Sequence, residues 1–303
     1  MSKKEYNYMP LSNYEIKTSN EKVSLMHPCF NAQAHNKYGR LHLPVSPVCN
    51  IGCRFCNRSQ NTTQQRPGVS AGILAIDEVS DTVEKALELC PQISVVGIAG
   101  PGDTLATDNA IKAFEQVNKK HSRLIKCLST NGLLLAQKSD KLKEIGVNSI
   151  TVTVNAVNPE ILTKINSHII YNGIKLTGIT AAKILINAQL EGIKKIAAWG
   201  ATIKINTVLI PEINDDHIAE IAKTVKEAGA HIYNIIPLIA EGEFKNHKVP
   251  DCDQLHNARK AAGEYIEVFY HCKHCRADAC GIPGQQDLSS KLYNRQMETF
   301  SHG

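Results

Sequence analysis

Short β-branched runs alternate with helical patterns about six times between residues 41 and 236. The predicted strands are 41–48, 94–99, 124–128, 149–155, 202–209 and 231–236, and the predicted helices are 77–89, 107–119, 138–145, 181–198 and 215–228. This alternation is typical of a parallel sheet or barrel, in which each helix returns the chain to the start of the next strand. Six units rather than eight predict an α/β fold, a partial (βα)6 TIM-type barrel that is open on one side.

Three cysteines follow the first predicted strand, in the segment Cys49-Asn-Ile-Gly-Cys53-Arg-Phe-Cys56. Thiolates at this density hold an iron–sulfur cluster more often than they form disulfides. A four-iron cluster needs four ligands, so three local thiolates leave one iron open to a small molecule. The alternative is a structural zinc knuckle, which requires a closed tetrahedral set of ligands.

Composition narrows the cellular setting and the partners. The chain has ten cysteines, its N-terminus lacks the apolar core of a signal peptide, and no apolar run is long enough to span a membrane. These features predict a reducing cytoplasm, where clustered cysteines are metal ligands rather than disulfides. The formal charge of +5 is scattered among acidic residues, so we expect no nucleic-acid partner and no membrane partner.

Polar and glycine-rich segments follow other predicted strands. Because parallel barrels carry their chemistry at the carboxyl ends of the strands, we predict that these segments meet at one site. Gly100-Pro-Gly-Asp103 follows the second strand; its glycines allow close backbone approach, and its carboxylate can accept from an ammonium group. An ordinary strand-to-helix turn is the alternative. Asn155 ends the fourth strand and is also predicted to lie at this site. Alternatively, its amide only caps a loop.

Further potential metal ligands lie outside the cysteine motif. Cys29 and His42 flank the entry to the first strand, and Cys272 and Cys275 form a two-thiol hook near the C-terminus. Two thiols need more ligands, and Cys29 with His42 would supply a set of four. Cys127 lies inside the third strand and is a further potential metal ligand. Alternatively, it is an ordinary half-buried free thiol.

We therefore divide the chain into three parts: an N-terminal arm (1–40) with Cys29, the barrel (41–240), and a C-terminal extension (241–303) with Cys272 and Cys275. The arm and the extension are predicted to bind clusters. A helix is predicted over 253–268 within the extension.

The cysteine motif, with Phe55 between its second and third thiols, resembles the signature of the radical S-adenosyl-L-methionine (AdoMet) superfamily. Within that superfamily, several segments look like the NifB family of nitrogenase FeMo cofactor biosynthesis proteins, in the stand-alone form without a carrier domain. The matching segments, in the family's order, are residues 27–29, 34–35, 39–42, 49–58, 66–69, 97–103, 128–132 and 272–278.

The resemblance implies a radical SAM active site. A 4Fe-4S cluster would bind to Cys49, Cys53 and Cys56, and its open iron would chelate the methionine part of AdoMet. The residues implied to bind the cofactor are Phe55, Gly100, Pro101, Gly102, Asp103 and Asn155, with the glycine motif on the amino group and Asn155 on the ribose.

The resemblance also implies two additional 4Fe-4S clusters, called K1 and K2, that the enzyme fuses with insertion of an AdoMet-derived carbide into an eight-iron cofactor precursor. K1 would be held by Cys29, His42, Cys272 and Cys275, and K2 by Cys127. The implied partners are an iron–sulfur cluster donor, a low-potential electron donor (ferredoxin or flavodoxin), and a downstream scaffold or carrier protein.

One departure from the family pattern concerns K2. The family carries another cysteine after the triad, but the segment from Asn57 to Gln65 contains none, and Gln65 stands near where an acidic residue is usual. Cys280 is a candidate for the compensating ligand. The alternatives are a NifB-like radical SAM enzyme with another substrate and a non-catalytic iron–sulfur scaffold, although a scaffold would not need an AdoMet pocket.

Overall fold

The computed structural model describes residues 23, 25–285, 287–293 and 301–302. Of the predicted N-terminal arm, residues 1–22 and 24 lie outside the described residues. None of the helices within the described residues is both long and apolar enough to cross a membrane.

The chain alternates between strands and helices along most of its length. The strands are Gly39–His42 (β1), Ile51–Cys53 (β2), Arg58–Gln60 (β3), Val69–Ser70 (β4), Ile93–Ile98 (β5), Ile125–Thr130 (β6), Val147–Thr153 (β7), Asn166–Tyr171 (β8), Ile174–Leu176 (β9), Thr202–Leu209 (β10), Ile232–Pro237 (β11), Glu267–Val268 (β12), Cys280–Gly281 (β13) and Ser301–His302 (β14). The α-helices are Ala32–His35, Val79–Leu89, Asn109–Lys120, Leu135–Glu144, Pro159–Ile165, Gly178–Ala198, Ile218–Glu227, Cys252–Gly263 and Ser289–Leu292.

A mainly parallel sheet forms the centre of the molecule, with spatial order β12-β11-β10-β7-β6-β5-β1-β13. Strands β1, β5, β6, β7, β10 and β11 correspond to the six predicted strands, and each pairs in parallel with the next. β12 adds a further parallel strand and β13 pairs antiparallel with β1. The prediction of an open, parallel α/β barrel is therefore confirmed, and the predicted C-terminal extension supplies both edge strands.

Some local predictions were wrong. The first strand ends at His42 rather than Val48, because the following segment contains Pro44 and Pro47, which cannot donate ladder hydrogen bonds. The helix predicted over 253–268 ends at Gly263, and the remaining residues form β12. The helix Pro159–Ile165 and the β8–β9 hairpin were also not predicted from the sequence. Neither segment has a strong hydrophobic period.

The two faces of the central sheet differ in chemistry. The face toward the helices is apolar, and its buried residues include Val96, Ile98, Leu128, Ile150 and Ile203. The opposite face carries polar or small residues at alternate positions, among them Gly97, Cys127, Thr151, Lys204 and Asn206, which line a cavity. The period of two thus separates a conventional core from a polar barrel interior.

The amino-terminal end of the barrel is closed by the chain's own N-terminal segment. Val23, Met26 and Phe30 pack as a buried cluster against inward residues near the start of three strands, Val95, Ile125 and Ile232. Phe269 joins the same cluster from the C-terminal part. We call this cluster the barrel plug.

A buried ion pair joins the C-terminal part to the loop after the cysteine motif. Arg276 bonds to Asp278 at 2.8 Å and donates to the carbonyl oxygens of Asn61 and Gln64 at 2.7 and 2.6 Å. Asp278 also accepts a hydrogen bond from the backbone N–H of Ala71. Both side chains are almost fully buried, so neither charge can be rehydrated if its partner is lost.

Replacing Asp278 by Ala should therefore destabilise the protein. It leaves a buried, uncompensated guanidinium, and we expect the free energy of unfolding to fall by about 3–5 kcal/mol. Chemical denaturation followed by circular dichroism measures this. The control is Glu84→Ala, which removes a solvent-exposed ion pair with Lys120 and should change little. An unchanged denaturation midpoint for Asp278→Ala would contradict the assignment.

Candidate functional site

One cavity of about 360 Å³ occupies the barrel interior and the carboxyl ends of its strands. Eight of the nine residues that the sequence singled out as metal ligands line it, although they are far apart in the chain. They are Cys29, His42, Cys49, Cys53, Cys56, Cys127, Cys272 and Cys275. Phe55, Pro101, Gly102 and Asp103 line the same cavity, whereas Gly100 and Asn155 do not.

The cysteine triad surrounds β2: Cys49 lies two residues before it, Cys53 ends it and Cys56 lies in the turn that follows. β2 pairs antiparallel with β8, and the N–H of Arg54 donates to the Ile165 carbonyl at 2.9 Å. The backbone N–H of Cys56 then donates to the Cys53 carbonyl at 3.0 Å, which closes a turn between the last two thiols. The missed helix and hairpin therefore hold the triad in place.

A segment after β11 covers the triad turn from the other side. The backbone N–H of Glu243 donates to the Arg54 carbonyl oxygen at 2.7 Å, and the two side chains form an ion pair. Gly242 has a φ of 57°, and a Cβ at this position would lie 2.6 Å from the same carbonyl oxygen. Only glycine allows this close approach without strain.

The triad thiols are free; Cys49 and Cys53 are half-buried and Cys56 is exposed. Burial raises the pKa of Cys49 to about 11 and also raises that of Cys53, and neighbouring thiols add to both shifts. Positive iron ions would offset this cost by stabilising the thiolates. Within the described residues, no three His, Cys, Asp or Glu side chains converge as a single metal ion requires. The zinc alternative thus lacks a closed site, whereas a 4Fe-4S cluster binds each thiolate at a separate iron.

The glycine motif makes close backbone contact with the chain just before the triad. The N–H groups of Gly102 and Asp103 donate to the carbonyl oxygens of Ser46 and Val48, at 2.6 and 2.8 Å. A Cβ on Gly102 would collide with the Val48 carbonyl, and Gly100 has a φ of 124°. The chain's own geometry therefore explains both glycines.

Asp103 connects the ends of two neighbouring strands. Its buried carboxylate accepts hydrogen bonds from the Thr130 hydroxyl and from the backbone N–H of Asn131, the latter at 2.6 Å. Burial raises the pKa of Asp103, and these hydrogen bonds act against that shift. Its predicted contact with the AdoMet amino group stays a prediction, since the carboxylate already has a structural role.

Asn131 carries this network to the triad. Its side-chain N–H group donates to the Asn50 amide oxygen at 2.7 Å and lies 3.9 Å from Cys49 Sγ. Sequence reasoning noted the loop Ser129-Thr-Asn-Gly132 at a strand end but did not select Thr130 or Asn131 as site residues. A polar pair directly after a buried strand was the signal that pointed to them.

Asn155 has a structural partner. Its amide oxygen accepts from the backbone N–H of Val208 at 2.9 Å, and its own carbonyl accepts from Asn214 at 2.9 Å. These bonds correspond to the loop-capping alternative. The predicted ribose contact remains a prediction.

His42 is oriented as a metal-ligating histidine. Its Nδ1 lies 2.9 Å from the Arg276 carbonyl oxygen, which can only accept, so Nδ1 carries the proton and the Nε2 lone pair stays free. The ring packs over Gly97, where a Cβ would lie 3.0 Å from the His42 Cδ2 atom. Burial lowers the pKa of His42 to about 4, so the imidazole is neutral near pH 7.

Sequence reasoning missed two buried cations, Arg40 and Lys204, that line the cavity together with the buried Arg66. Arg40 donates to Cys275 Sγ at 3.2 Å and to the Gly281 carbonyl oxygen at 2.6 Å. Lys204 donates to the Cys29 carbonyl oxygen at 3.1 Å. The available signal for each was a single charged residue within an apolar strand. Because successive side chains of a strand point to opposite faces, both of these side chains point into the barrel.

The region of the missing loop cysteine offers few ligands. Asn57 reaches the cavity, but Thr62 and Gln65 are exposed and do not line it. Cys280 is fully buried in the main core, has the Cys90 thiol as an electrostatic neighbour, and does not line the cavity either. The hypothesis that Cys280 replaces the missing ligand therefore has no support from its position.

Comparison with known proteins gives close relatives. The radical SAM superfamily matches residues 43–225. The FeMo cofactor biosynthesis protein NifB of Methanocaldococcus infernus is 47% identical over 272 residues, which cover 89% of this chain and 90% of the relative. The NifB protein of Methanocaldococcus jannaschii is 43% identical over 283 residues, which cover 92% and 94%. The NifB protein of Klebsiella pneumoniae is 40% identical over 86% of this chain and 57% of its own length.

Solved structures resemble the fold at low sequence identity. Streptococcus suis SuiB bound to S-adenosylmethionine superposes with a TM-score of 0.55 at 13% identity, over 78% of this chain and 52% of that chain. Methylornithine synthase (PylB) superposes with a TM-score of 0.52 at 11% identity, over 82% and 68%. These similarities concern the fold alone. By its match over residues 43–225 and its relatives at 43% and 47% identity, the chain belongs to the radical SAM superfamily and, within it, to the NifB family.

Proposed function

We propose that this protein is the radical SAM enzyme that makes the iron–sulfur precursor of the nitrogenase FeMo cofactor. Its substrates would be two 4Fe-4S clusters, fused into an eight-iron core with insertion of a carbide derived from AdoMet. The observation that carries the proposal is that eight of the nine candidate cluster ligands line one cavity. The NifB relatives, whose names state FeMo cofactor biosynthesis, support it.

The residues around the triad fit the cofactors of the superfamily. Cys49, Cys53 and Cys56 would hold the resident 4Fe-4S cluster, since their thiols are free and line one cavity. AdoMet would bind beside them, against Phe55 and the segment from Pro101 to Asp103. When bound and reduced by one electron, these groups supply a 5′-deoxyadenosyl radical.

The protein's own contribution is to position these groups and to exclude water. Asp103, through Asn131 and Asn50, fixes the triad relative to the ends of β5 and β6. The Gly242–Glu243 segment packs on the triad turn, and the barrel plug closes the opposite end of the cavity. A reactive radical generated between these two closures would meet substrate rather than solvent.

The other ligands would hold the substrate clusters. Cys29, His42, Cys272 and Cys275 are suited to one cluster, and His42 contributes a neutral nitrogen ligand that iron exchanges more readily than a thiolate. Cys127 would hold the second cluster. The division of the chain into an arm, a barrel and a cluster-binding extension belongs to the same proposal.

Partners follow from this chemistry. Radical SAM chemistry requires an electron donor, and we propose a low-potential ferredoxin or flavodoxin, together with a cluster donor and a downstream scaffold or carrier, in the cytoplasm. A second candidate is a NifB-like enzyme with another substrate, which is favoured by the absence of a cysteine between Asn57 and Gln65. A non-catalytic scaffold would differ from both because it would not cleave AdoMet.

Replacing Cys49, Cys53 and Cys56 together by Ala should abolish 5′-deoxyadenosine formation, because no thiolate remains to hold the resident cluster. The product is measured by chromatography after anaerobic reduction with dithionite. The matched control is Cys252→Ala, since Cys252 is exposed and lies outside the cavity. Deoxyadenosine formation that persists in the triple variant would refute the central assignment.

A second test addresses His42. In the background with the triad replaced by Ala, pulsed EPR of the reduced protein should detect nitrogen hyperfine coupling to a remaining cluster. The coupling should vanish in His42→Ala and persist in His256→Ala, which changes an exposed histidine outside the cavity. Coupling that is unaffected by His42→Ala would remove His42 from the ligand set.

A further inference from the structure

Lys204 lies inside the barrel on β10, between the barrel plug and the cavity. Its side chain is buried, with 6% of its surface exposed. The Nζ atom lies 3.1 Å from the Cys29 carbonyl oxygen, 4.7 Å from the centroid of the Phe30 ring and 5.5 Å from that of Phe269. The ammonium group is therefore fixed by one carbonyl and two aromatic faces, and it borders the cavity.

Within the described residues, no ion pair neutralises this charge. None of the ion pairs includes Lys204 or Arg40, another buried cation of the cavity, whereas the buried Arg66 is paired with Glu241. Burying a charged group without a counter-ion is costly, whereas an apolar side chain would fill the space between two phenyl rings at no such cost. A buried cation that borders a cavity in this way indicates that an anion occupies the cavity.

Lys204 shares this cavity with the thiols of Cys29 and Cys127. Its Nζ atom donates to the backbone carbonyl oxygen of Cys29 itself. Lys204 is paired with Thr151 across β10 and β7, and Cys127 is paired with Ser149 across β6 and β7, so β7 separates the two side chains. The Lys204 ammonium thus lies within electrostatic range of both thiols without an intervening counter-charge.

His27 places a hydrogen-bond donor without a partner among the described residues at the wall of the same cavity. His27 is 2% exposed, and its Nδ1 accepts from the backbone N–H of Cys29 at 3.1 Å, so the proton of the neutral ring is on Nε2. Nε2 is buried and has no hydrogen-bond partner within the described residues. His27 also lines the cavity, and an unsatisfied buried N–H group is costly unless a ligand accepts from it.

We propose that Lys204, assisted by His27 Nε2–H, anchors an anionic iron–sulfur substrate cluster next to Cys127 as a counter-cation and hydrogen-bond donor, without ligating it. This inference rests on the proposed function and deepens it, because it names what holds the cluster for which the chain lacks a loop cysteine. Charge and hydrogen bonds to sulfides take over part of the role of a missing thiolate. A cluster held with few covalent bonds also leaves the protein more readily once it has been converted to product.

The test uses the full chain with Cys49, Cys53 and Cys56 replaced by Ala, so that only substrate clusters contribute iron. Into this background we place Lys204→Met, which keeps a similar apolar length without charge, and Lys204→Arg, which restores the charge. Lys175→Met, at an exposed position on β9, is the control. Each protein is reconstituted anaerobically with ferrous iron and sulfide, and its iron content, EPR spectrum, cluster midpoint potential and melting temperature are measured.

In Lys204→Met we expect iron content to fall by roughly half, that is by about one of two clusters, because the anchoring charge is gone. Any cluster that remains near Cys127 should be harder to reduce, since a nearby cation stabilises the more negative reduced state. Lys204→Arg should recover both iron content and potential, and the control should match the background. A purely structural role for Lys204 would not move the potential.

Two results would overturn the inference. One is full iron content and an unchanged potential in Lys204→Met. The other is an equal loss of iron in Lys204→Met and Lys204→Arg with a lowered melting temperature in both, which would assign Lys204 to packing. The proposed function is judged separately, by AdoMet cleavage in the chain with its triad intact, so either hypothesis can fail without the other.

Discussion

The buried carboxylate of Asp103 organises the whole catalytic end of the barrel. It is the first carboxylate after β5, and it accepts from the Thr130 hydroxyl and the Asn131 backbone at the end of β6. Asn131 then reaches Asn50 and Cys49. A single desolvated anion, stable only because several donors surround it, therefore sets the distance between the two strand ends and the cysteine turn. The neighbouring glycine motif brings the chain close enough for this network to form.

Much of the fold was predictable because long, strongly periodic segments determine it. Six strands and the helices between them follow from β-branched runs and helical spacing, and their parallel order follows from connection rules. The elements that were missed or misplaced have weak local signals: β8 is stabilised by pairing with β2, β9 by pairing with β8, and β12 is a two-residue edge strand. Their formation depends on tertiary contacts that a local pattern does not contain.

The candidate site divides in the same way. The thiols could be found because cysteine spacing is informative by itself, and Cys29, Cys127 and Cys272 all line the cavity. Arg40, Lys204 and Asn131 were not selected, since nothing local distinguishes an inward cation or amide from one that meets solvent. Asn155 illustrates the reverse: its position at a strand end suggested a ligand contact, whereas its amide oxygen bonds to the backbone of β10. Residue type indicated which side chains are able to bind a ligand better than it indicated which way each side chain points.

The cavity walls come from opposite ends of the chain, which has a consequence for biosynthesis. Arg40 donates to Cys275 across 235 residues, and Arg276 holds both His42 and the loop after the triad. Contacts of such long sequence separation form late, because the intervening chain must close first. A nascent chain that has reached only the triad therefore lacks Cys272 and Cys275, and the proposed ligand set of Cys29, His42, Cys272 and Cys275 can form only after residue 275 has been synthesised.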